Sequence, residues 1–177
     1  MRRPVDTQSL DQFMRELGAQ ARSPGTVYLT GGSTALLLGI RGQTVDVDVK
    51  LDPEPAGALE AIAMLKETLG INVELAAPDQ FIPPLPGWRE RSIFIAAYGK
   101  VTFKHFDLYS QALSKIERGY ALDLADASQY VERGLVELEE LLRLFREIIP
   151  DLIRYPAIDP AAFERKVAEF VRSHESL

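Results

Sequence analysis

Two short stretches decide the fold: VYLTGGSTALLL, residues 27–38, and VDVDVKLD, residues 45–52. The first is typical of a short buried strand, a Gly-Gly-Ser turn and a compact apolar helix from Ala35 to Leu38, which Ser33 or Thr34 could cap. In the second, apolar and charged residues alternate without a break, which is typical of a strand with one exposed face. Together they predict a strand, a helix and a second strand in succession.

The rest of the chain adds strands and helices around these two stretches. Apolar residues at helical spacing, or in short runs bounded by turns, predict each of them. Asp159-Pro160 predicts the start of the last helix, because aspartate is a good N-cap and proline fits the first turn. The predicted elements are an opening helix around residues 10–17, a helix over 58–69, strands over 71–75, 93–97 and 101–106, and helices from Asp107 onward. This order predicts a mixed α/β (α+β) sheet in a core of residues 1–106, flanked by helices, with a helical C-terminal region of residues 107–177 packed on it.

The composition limits which chemistry is open to this chain. Its 177 residues suit one domain, or a core with a small helical appendage. It has no cysteine, which excludes disulfides, thiolate zinc sites and cysteine nucleophiles, and His105 and His174 are its only imidazoles. Any metal would therefore be held mainly by oxygen, which points to Mg²⁺ or Mn²⁺. The net charge of −6 argues against broad, non-specific binding of nucleic acid, but allows an RNA bound by a local basic patch.

The sequence carries no sign of a membrane segment or of export. No stretch approaches the ~20 consecutive apolar residues of a membrane-spanning helix. The start, MRRP, lacks the apolar run that follows the charges of a signal peptide. We therefore expect a cytoplasmic protein with no membrane partner.

Asp46 and Asp48 are the strongest candidates for chemistry. Side chains two apart on a strand point the same way, so both carboxylates project from one face, about 6.6 Å apart at their bases. Paired carboxylates suit Mg²⁺, which takes its other ligands from phosphates and water, and two metals about 3.5–4 Å apart can stabilise both oxygens of a phosphoryl displacement. The same alternation is also typical of an ordinary strand with a wet face, on which Lys50 would simply form salt bridges with its neighbours.

Gly31, Gly32 and Ser33 lie between the first strand and its helix. Glycines there permit a tight backbone turn, and exposed amides at a helix start attract anions. A plain turn is the commoner explanation for a single Gly-Gly pair. Neither a P-loop nor a dinucleotide-binding fingerprint is present.

The combination is more specific than either part. Gly31-Gly32-Ser33, twelve intervening residues and Asp46-Val47-Asp48 resemble the signature of the nucleotidyltransferase (DNA polymerase β-like) superfamily. The likeness is greatest to its small toxin-antitoxin and abortive-infection members, and it covers residues 27–52 with a weaker echo around residues 107–126. The resemblance implies a metal-dependent enzyme that moves a nucleoside monophosphate from a triphosphate to an acceptor hydroxyl on RNA, protein or a small molecule. It also implies that Asp46 and Asp48 hold Mg²⁺ (or Mn²⁺), while Gly31, Gly32 and Ser33 bind the β- and γ-phosphates.

Members of this superfamily usually carry a third carboxylate on a later strand. Glu74, in the predicted strand 71–75, is our preferred counterpart, as a catalytic residue and metal ligand. Asp107, at the end of the strand before the helices, is the rival. Glu74 departs from the more usual aspartate, and it is equally compatible with a solvated strand residue.

The weaker echo comprises Lys115, Arg118, Asp123 and Asp126. The resemblance implies that Lys115 offsets charge that develops during the reaction and that Arg118 and Asp123 bind substrate. Lys115 and Arg118 are three residues apart and would share one face of a helix. The alternative is a structural network in which these cations pair with Asp123 and Asp126.

Two other functions stay open at this point. The fold could be catalytically degenerate and bind a nucleotide or a protein without turnover, for which an unconvincing third carboxylate would be expected. The chain could also be one component of a toxin-antitoxin pair that acts only with its cognate partner protein. The acceptor, the base preference and the oligomeric state are not encoded in any motif that we recognise.

Overall fold

Five strands form one mixed sheet in the computed structural model, which describes residues 1–176. They are β1 (Gly25–Thr30), β2 (Asp46–Leu51), β3 (Asn72–Leu75), β4 (Ile93–Tyr98) and β5 (Val101–His105). Their order across the sheet is β3-β2-β1-β5-β4. Strand β1 is antiparallel to β2 and parallel to β5, β2 is parallel to β3, and β4 is antiparallel to β5. The predicted mixed α/β fold is therefore confirmed.

The chain divides into two compact units. The first comprises Met1–Ala77 and Ser92–Phe106 and contains the whole sheet. The second comprises residues 78–91 and those from Asp107 onward. Residues 78–91, which the sequence analysis placed in the core of residues 1–106, therefore belong to the second unit. They contain no strand, so they contribute nothing to the sheet that holds the first unit together.

The first unit buries one face of its sheet against two helices, α1 (Thr7–Gln20) and α3 (Ala58–Thr68). Helix α1 begins where the side chain of Asp6 accepts a hydrogen bond from the Ser9 amide at 2.8 Å, as an N-cap does. The helices bury apolar side chains at helical spacing, and the strands contribute every second residue. The fully buried members of this core are Val5, Leu10, Phe13, Leu17, Val27, Leu29, Val47, Ala58, Leu65, Ile71 and Phe103.

The short helix after the glycine turn, α2, runs over Gly32–Leu37, with Gly31 as its N-cap. The prediction that Ser33 or Thr34 caps this helix is therefore wrong, since both lie inside its first turn. The physical reason is Gly31, which adopts φ +62°, a left-handed conformation that lets the chain turn two residues earlier. Thr34 instead donates its hydroxyl proton to the carbonyl of Leu29 at 3.2 Å.

Every secondary-structure element assigned within the described residues of the second unit is a helix, as predicted for the chain from Asp107 onward. Helix α8 begins as its sequence indicated, with the Asp159 side chain accepting from the Ala162 amide at 3.2 Å and Pro160 in the first turn. Two 3₁₀ segments, Pro78–Gln80 and Ile149–Arg154, complete the unit. Its α-helices are α4 (Trp88–Arg91), α5 (Leu108–Arg118), α6 (Ala121–Glu132), α7 (Leu138–Ile148) and α8 (Pro160–His174).

Within residues 1–176, no helix combines the length and the apolar character that crossing a bilayer requires.

Candidate functional site

The two aspartates of β2 lie on the face of the sheet opposite the apolar core. Val47 and Val49 are 0% and 1% exposed, whereas Asp46 and Asp48, which alternate with them, are partly exposed. This is the alternation that the sequence predicted, because successive strand residues point to opposite faces. Both carboxylates therefore remain within reach of a solute.

Asp48 lies against the glycine turn. In the antiparallel pairing of β1 with β2, Asp48 is opposite Thr30, the residue directly before Gly31. A Cβ atom placed on Gly31 would be only 2.9 Å from Asp48 Oδ2, so a side chain at this position would crowd the carboxylate. Glycine is required here for two reasons: there is no space for a Cβ, and the φ of +62° is unfavourable for other residues. The first glycine of the motif and the second aspartate are thus direct neighbours.

Asp46 is linked to Glu74 through Asn72. In the parallel pairing of β2 with β3, Asp46 is opposite Asn72 and Asp48 is opposite Glu74, so all four residues share one face. The Asn72 amide nitrogen donates to Asp46 Oδ1 at 2.7 Å and to Glu74 Oε1 at 2.9 Å. We call Asp46, Asp48 and Glu74 the carboxylate face. The three residues that the sequence analysis named as metal ligands therefore lie on one face of the sheet.

Asn72 was missed by the sequence reasoning. A neutral amide on a strand carries no chemical signal by itself, and its contact with Asp46 depends on the register of β2 and β3. Its position two residues before Glu74 was the available clue, because that spacing places both side chains on one face.

The other glycine, Gly32, is packed against the loop that leads to β2. A Cβ on Gly32 would collide with Thr44 Oγ1 and would lie 3.4 Å from a guanidinium nitrogen of Arg41, Nη1. Arg41 was also missed by the sequence analysis, which considered only the residues that match the motif. A positively charged side chain therefore lies beside the same turn that Asp48 contacts.

Ser33 is fully buried, at 0% exposure, and its hydroxyl has no hydrogen-bond partner. In this conformation it offers nothing to a ligand. Any contact of the motif with a phosphate would fall to Gly31 and Gly32, which are partly exposed. The amides of α2 are a weak source of anion binding, because the helix has only 6 residues.

The donor atoms of the carboxylate face suit a hard divalent cation. Carboxylate oxygens are what Mg²⁺ binds, and Mg²⁺ typically takes one or two carboxylates from the protein and its remaining ligands from phosphates and water. Among residues 1–176, no group of three or more His, Asp or Glu side chains is arranged closely enough to hold a metal by itself. Asp46 and Asp48 are the residues that could hold such a cation together with a substrate, and Glu74 lies on the same face.

Asp107, the rival third carboxylate, is engaged within the second unit. It is 1% exposed and caps α5, accepting from the Tyr109 amide at 3.2 Å and from the Ser110 amide at 3.3 Å. Arg91 donates to both of its oxygens, at 3.1 and 2.8 Å, and the Ser110 hydroxyl adds a bond of 2.7 Å. This set of partners is that of a structural carboxylate, which favours Glu74 as the third acid.

Lys115, Arg118, Asp123 and Asp126 form an ion-pair network in the second unit. Lys115 Nζ lies 2.9 Å from Asp126 Oδ2 and 3.4 Å from Asp123 Oδ1, and Arg118 Nη2 lies 2.9 Å from Asp123 Oδ2. Lys115 is only 7% exposed, whereas half of the Arg118 side chain is accessible. The network joins α5 to α6, which is the structural alternative that the sequence analysis kept open for these residues.

His105 is also buried, at 5% exposure, on the core side of the sheet. Its Nδ1 lies 3.0 Å from Thr34 Oγ1, and burial lowers the pKa of the imidazole to about 4. A neutral, enclosed imidazole is available neither as a surface cation nor as a metal ligand on the carboxylate face.

Comparison of the chain with protein-family models, with characterised proteins and with solved structures gave no match. The assignment of a function therefore depends on the residues of the site alone.

Proposed function

We propose that this protein is a metal-dependent nucleotidyltransferase, which moves a nucleoside monophosphate from a nucleoside triphosphate to an acceptor hydroxyl. The observation that carries the proposal is the contact of Asp48 with Gly31, on the same face as Asp46 and Glu74. It puts the Asp48 carboxylate beside a partly exposed glycine turn, with Asp46 two residues away on the same face of the sheet. A divalent cation and a phosphate chain need these two features together.

The carboxylate face would hold Mg²⁺ (or Mn²⁺) through Asp46 and Asp48. The metal, when bound, would neutralise charge on the phosphates and align them for attack. Asn72 would position Asp46 and Glu74, because its amide nitrogen donates to both. In the reaction, the acceptor hydroxyl would lose its proton to solvent and its oxygen would bond to the α-phosphorus. The bond between the α-phosphorus and the oxygen that bridges the α- and β-phosphates would break, and pyrophosphate would leave.

Titration calorimetry of each of the four ribonucleoside triphosphates, with and without Mg²⁺, tests this proposal. We expect one triphosphate to bind in the presence of Mg²⁺, and Asp46→Asn/Asp48→Asn to abolish the metal-dependent part of that binding. Lys50→Gln, which changes a third residue on the same face of β2, is the matched control. If no triphosphate binds to the folded protein, the proposal is wrong and β2 has an ordinary wet face.

The second candidate is a nucleotide- or protein-binding module without turnover. The environment of Glu74 favours a binding module, because this residue is exposed and its carboxylate accepts a hydrogen bond from Asn72. Once a triphosphate is known to bind, Glu74→Gln separates the two functions. An enzyme should lose turnover on labelled RNA or protein pools far more than affinity, whereas a binding module has no turnover to lose.

The proposals of an RNA, protein or small-molecule acceptor and of a cognate partner protein are supported by the sequence resemblance and not by the geometry of the site. A toxin-antitoxin component would release labelled pyrophosphate only with its acceptor present. RNA and protein fractions can be offered separately as acceptors, and transfer of label to one of them would name the class.

A further inference from the structure

A cavity of about 400 Å³ lies within the second unit, between helices α5, α6 and α8. Its volume falls in the range of about 300–1,000 Å³ that is typical of sites for small molecules. Such sites combine an apolar lining with a few polar groups that orient the ligand. The lining of this cavity includes the apolar side chains of Ile116, Leu124 and Phe170 and the polar side chains of Ser128, Lys166 and His174.

Ser128 on α6 and His174 on α8 are hydrogen-bonded to each other in the lining of this cavity. The distance between Ser128 Oγ and His174 Nε2 is 2.9 Å. The other ring nitrogen, Nδ1, lies 2.7 Å from the carbonyl oxygen of Phe170. A carbonyl oxygen can only accept a hydrogen bond, so Nδ1 carries the proton of the neutral imidazole. Nε2 is then an acceptor, and the hydroxyl of Ser128 donates to it.

This arrangement meets the two conditions for an activated serine. The hydroxyl needs a base within about 2.6–3.2 Å, and the base needs a third group that fixes its orientation and its tautomer. His174 is the base, and the Phe170 carbonyl is the third group. Ser128 and His174 are both partly exposed, so a solute in the cavity can reach them.

Ser173 provides an internal comparison, because its hydroxyl also lies near the imidazole. Its Oγ is 3.0 Å from Nδ1 of His174 and donates to the Phe170 carbonyl at 2.8 Å. Nδ1 already carries a proton, so it cannot take one from Ser173. Of these two hydroxyls, only that of Ser128 faces a nitrogen that can act as a base.

The charges of the lining indicate the class of substrate. Lys166 Nζ donates to the Glu117 carbonyl at 2.7 Å, and an ammonium has three N–H donors, so two remain for a ligand. Glu169, three residues further along α8, also lines the cavity and carries the opposite charge. The two charges together favour a substrate without a net charge, and the apolar side chains favour an apolar group on it.

We propose that Ser128 and His174 are the catalytic dyad of a second activity, the hydrolysis of small uncharged carboxylic esters with an apolar acyl group. Ser128 Oγ bonds to the ester carbonyl carbon while its proton passes to His174 Nε2, and Lys166 offsets the negative charge on the carbonyl oxygen. The bond to the alcohol oxygen then breaks, and the alcohol leaves with the proton from Nε2. Water attacks the acyl-serine, gives a proton to Nε2 and releases the acid, and Ser128 regains its proton. The step uses no residue of the carboxylate face, so it is independent of the proposed function.

Covalent labelling with a fluorophosphonate, which reacts with activated serines, tests this proposal together with hydrolysis of p-nitrophenyl butyrate. Peptide mass mapping of the labelled wild type should place the phosphonyl group on Ser128 and not on Ser173. Ser128→Ala should lose both labelling at this position and ester hydrolysis. His174→Gln should slow both by at least about a hundredfold, because a general base typically contributes that much or more.

Ser114→Ala is the matched control, because it removes a hydroxyl from α5 of the same unit outside the cavity. It should keep the labelling and hydrolysis rates of the wild type, and melting curves of each variant report whether it is folded. The wild type decides the question even if a variant does not fold: absence of label on Ser128 refutes the proposal, and the bond to His174 then only joins α6 to α8. Equal labelling of Ser128 in a folded His174→Gln, or equal hydrolysis by Ser128→Ala, would also refute it.

Discussion

Acidification should destabilise the first unit through His105, whose imidazole is buried and neutral. Burial lowers its pKa from 6.5 to about 4. The hydroxyl oxygen of Thr34 lies 3.0 Å from Nδ1 of His105 and 3.2 Å from the carbonyl oxygen of Leu29. Protonation would place a positive charge on a side chain that is only 5% exposed.

The sign of the effect follows from the two pKa values. Because the folded pKa lies below the unfolded one, the neutral imidazole contributes stability that is fully present above pH 6.5 and is lost as the pH falls toward 4. At ~1.4 kcal/mol for each pH unit, the full contribution is about 3 kcal/mol. About 2 kcal/mol of it should disappear between pH 7 and pH 5.

Urea unfolding of the wild type and of His105→Asn, at pH 7 and at pH 5, measures this contribution. Asparagine keeps a hydrogen-bonding group near the position of Nδ1 but does not titrate, and the remaining titrating groups are the same in both proteins. We expect the free energy of unfolding of the wild type to fall by about 2 kcal/mol more than that of the variant. Equal falls in the two proteins would refute the reasoning, because His105 would then bind protons equally well in the folded and unfolded states.

Two further predictions concern the second unit. Lys115→Met should lower the free energy of unfolding by roughly 3–5 kcal/mol, because it leaves the buried carboxylates of Asp123 and Asp126 without the ammonium between them. The double variant Lys115→Met/Asp126→Asn should recover part of this stability. An unchanged denaturation midpoint in Lys115→Met would contradict a structural ion pair. Asp107→Ala should cost roughly 2–4 kcal/mol, because it removes both the N-cap of α5 and the partner of Arg91. Asp107→Asn keeps an acceptor for the N-cap, so chemical denaturation should show a smaller loss of stability than for Asp107→Ala. Equal stability of Asp107→Ala and the wild type would show that neither the N-cap nor the ion pair with Arg91 stabilises the helix.

The sequence predicted the direction of side chains on β2 but not the neighbours of that strand. Side chains alternate between the two faces of a strand, so Asp46 and Asp48 share a face whatever the strand packs against. The contact of Asp46 with Asn72 depends on β3 lying parallel to β2 in one register, and that pairing is set by long-range packing. Arg41 was hidden for a similar reason, because the loop after α2 carries no periodic pattern.

Asp107 shows a different limit. An acidic residue between a strand and a helix is compatible both with a metal ligand at the sheet edge and with a helix N-cap. The sequence supports the two roles equally, and Arg91, 16 residues earlier in the chain, decides between them by donating to both carboxylate oxygens. A pairing over that distance, with the β4–β5 hairpin between the two residues, becomes visible only in the fold.

The partners of the carboxylates argue for a function on this face of the sheet. Carboxylates that serve only stability are usually paired with cations, as Asp107 is with Arg91 and Asp126 is with Lys115 in the second unit. Asp46 and Glu74 instead share the amide of Asn72, which holds the two like charges close together without neutralising either. Holding like charges together costs stability, and a lysine at position 72 would remove that cost. The amide links the two carboxylates without supplying a positive charge, which is the arrangement that the proposed binding of a cation requires.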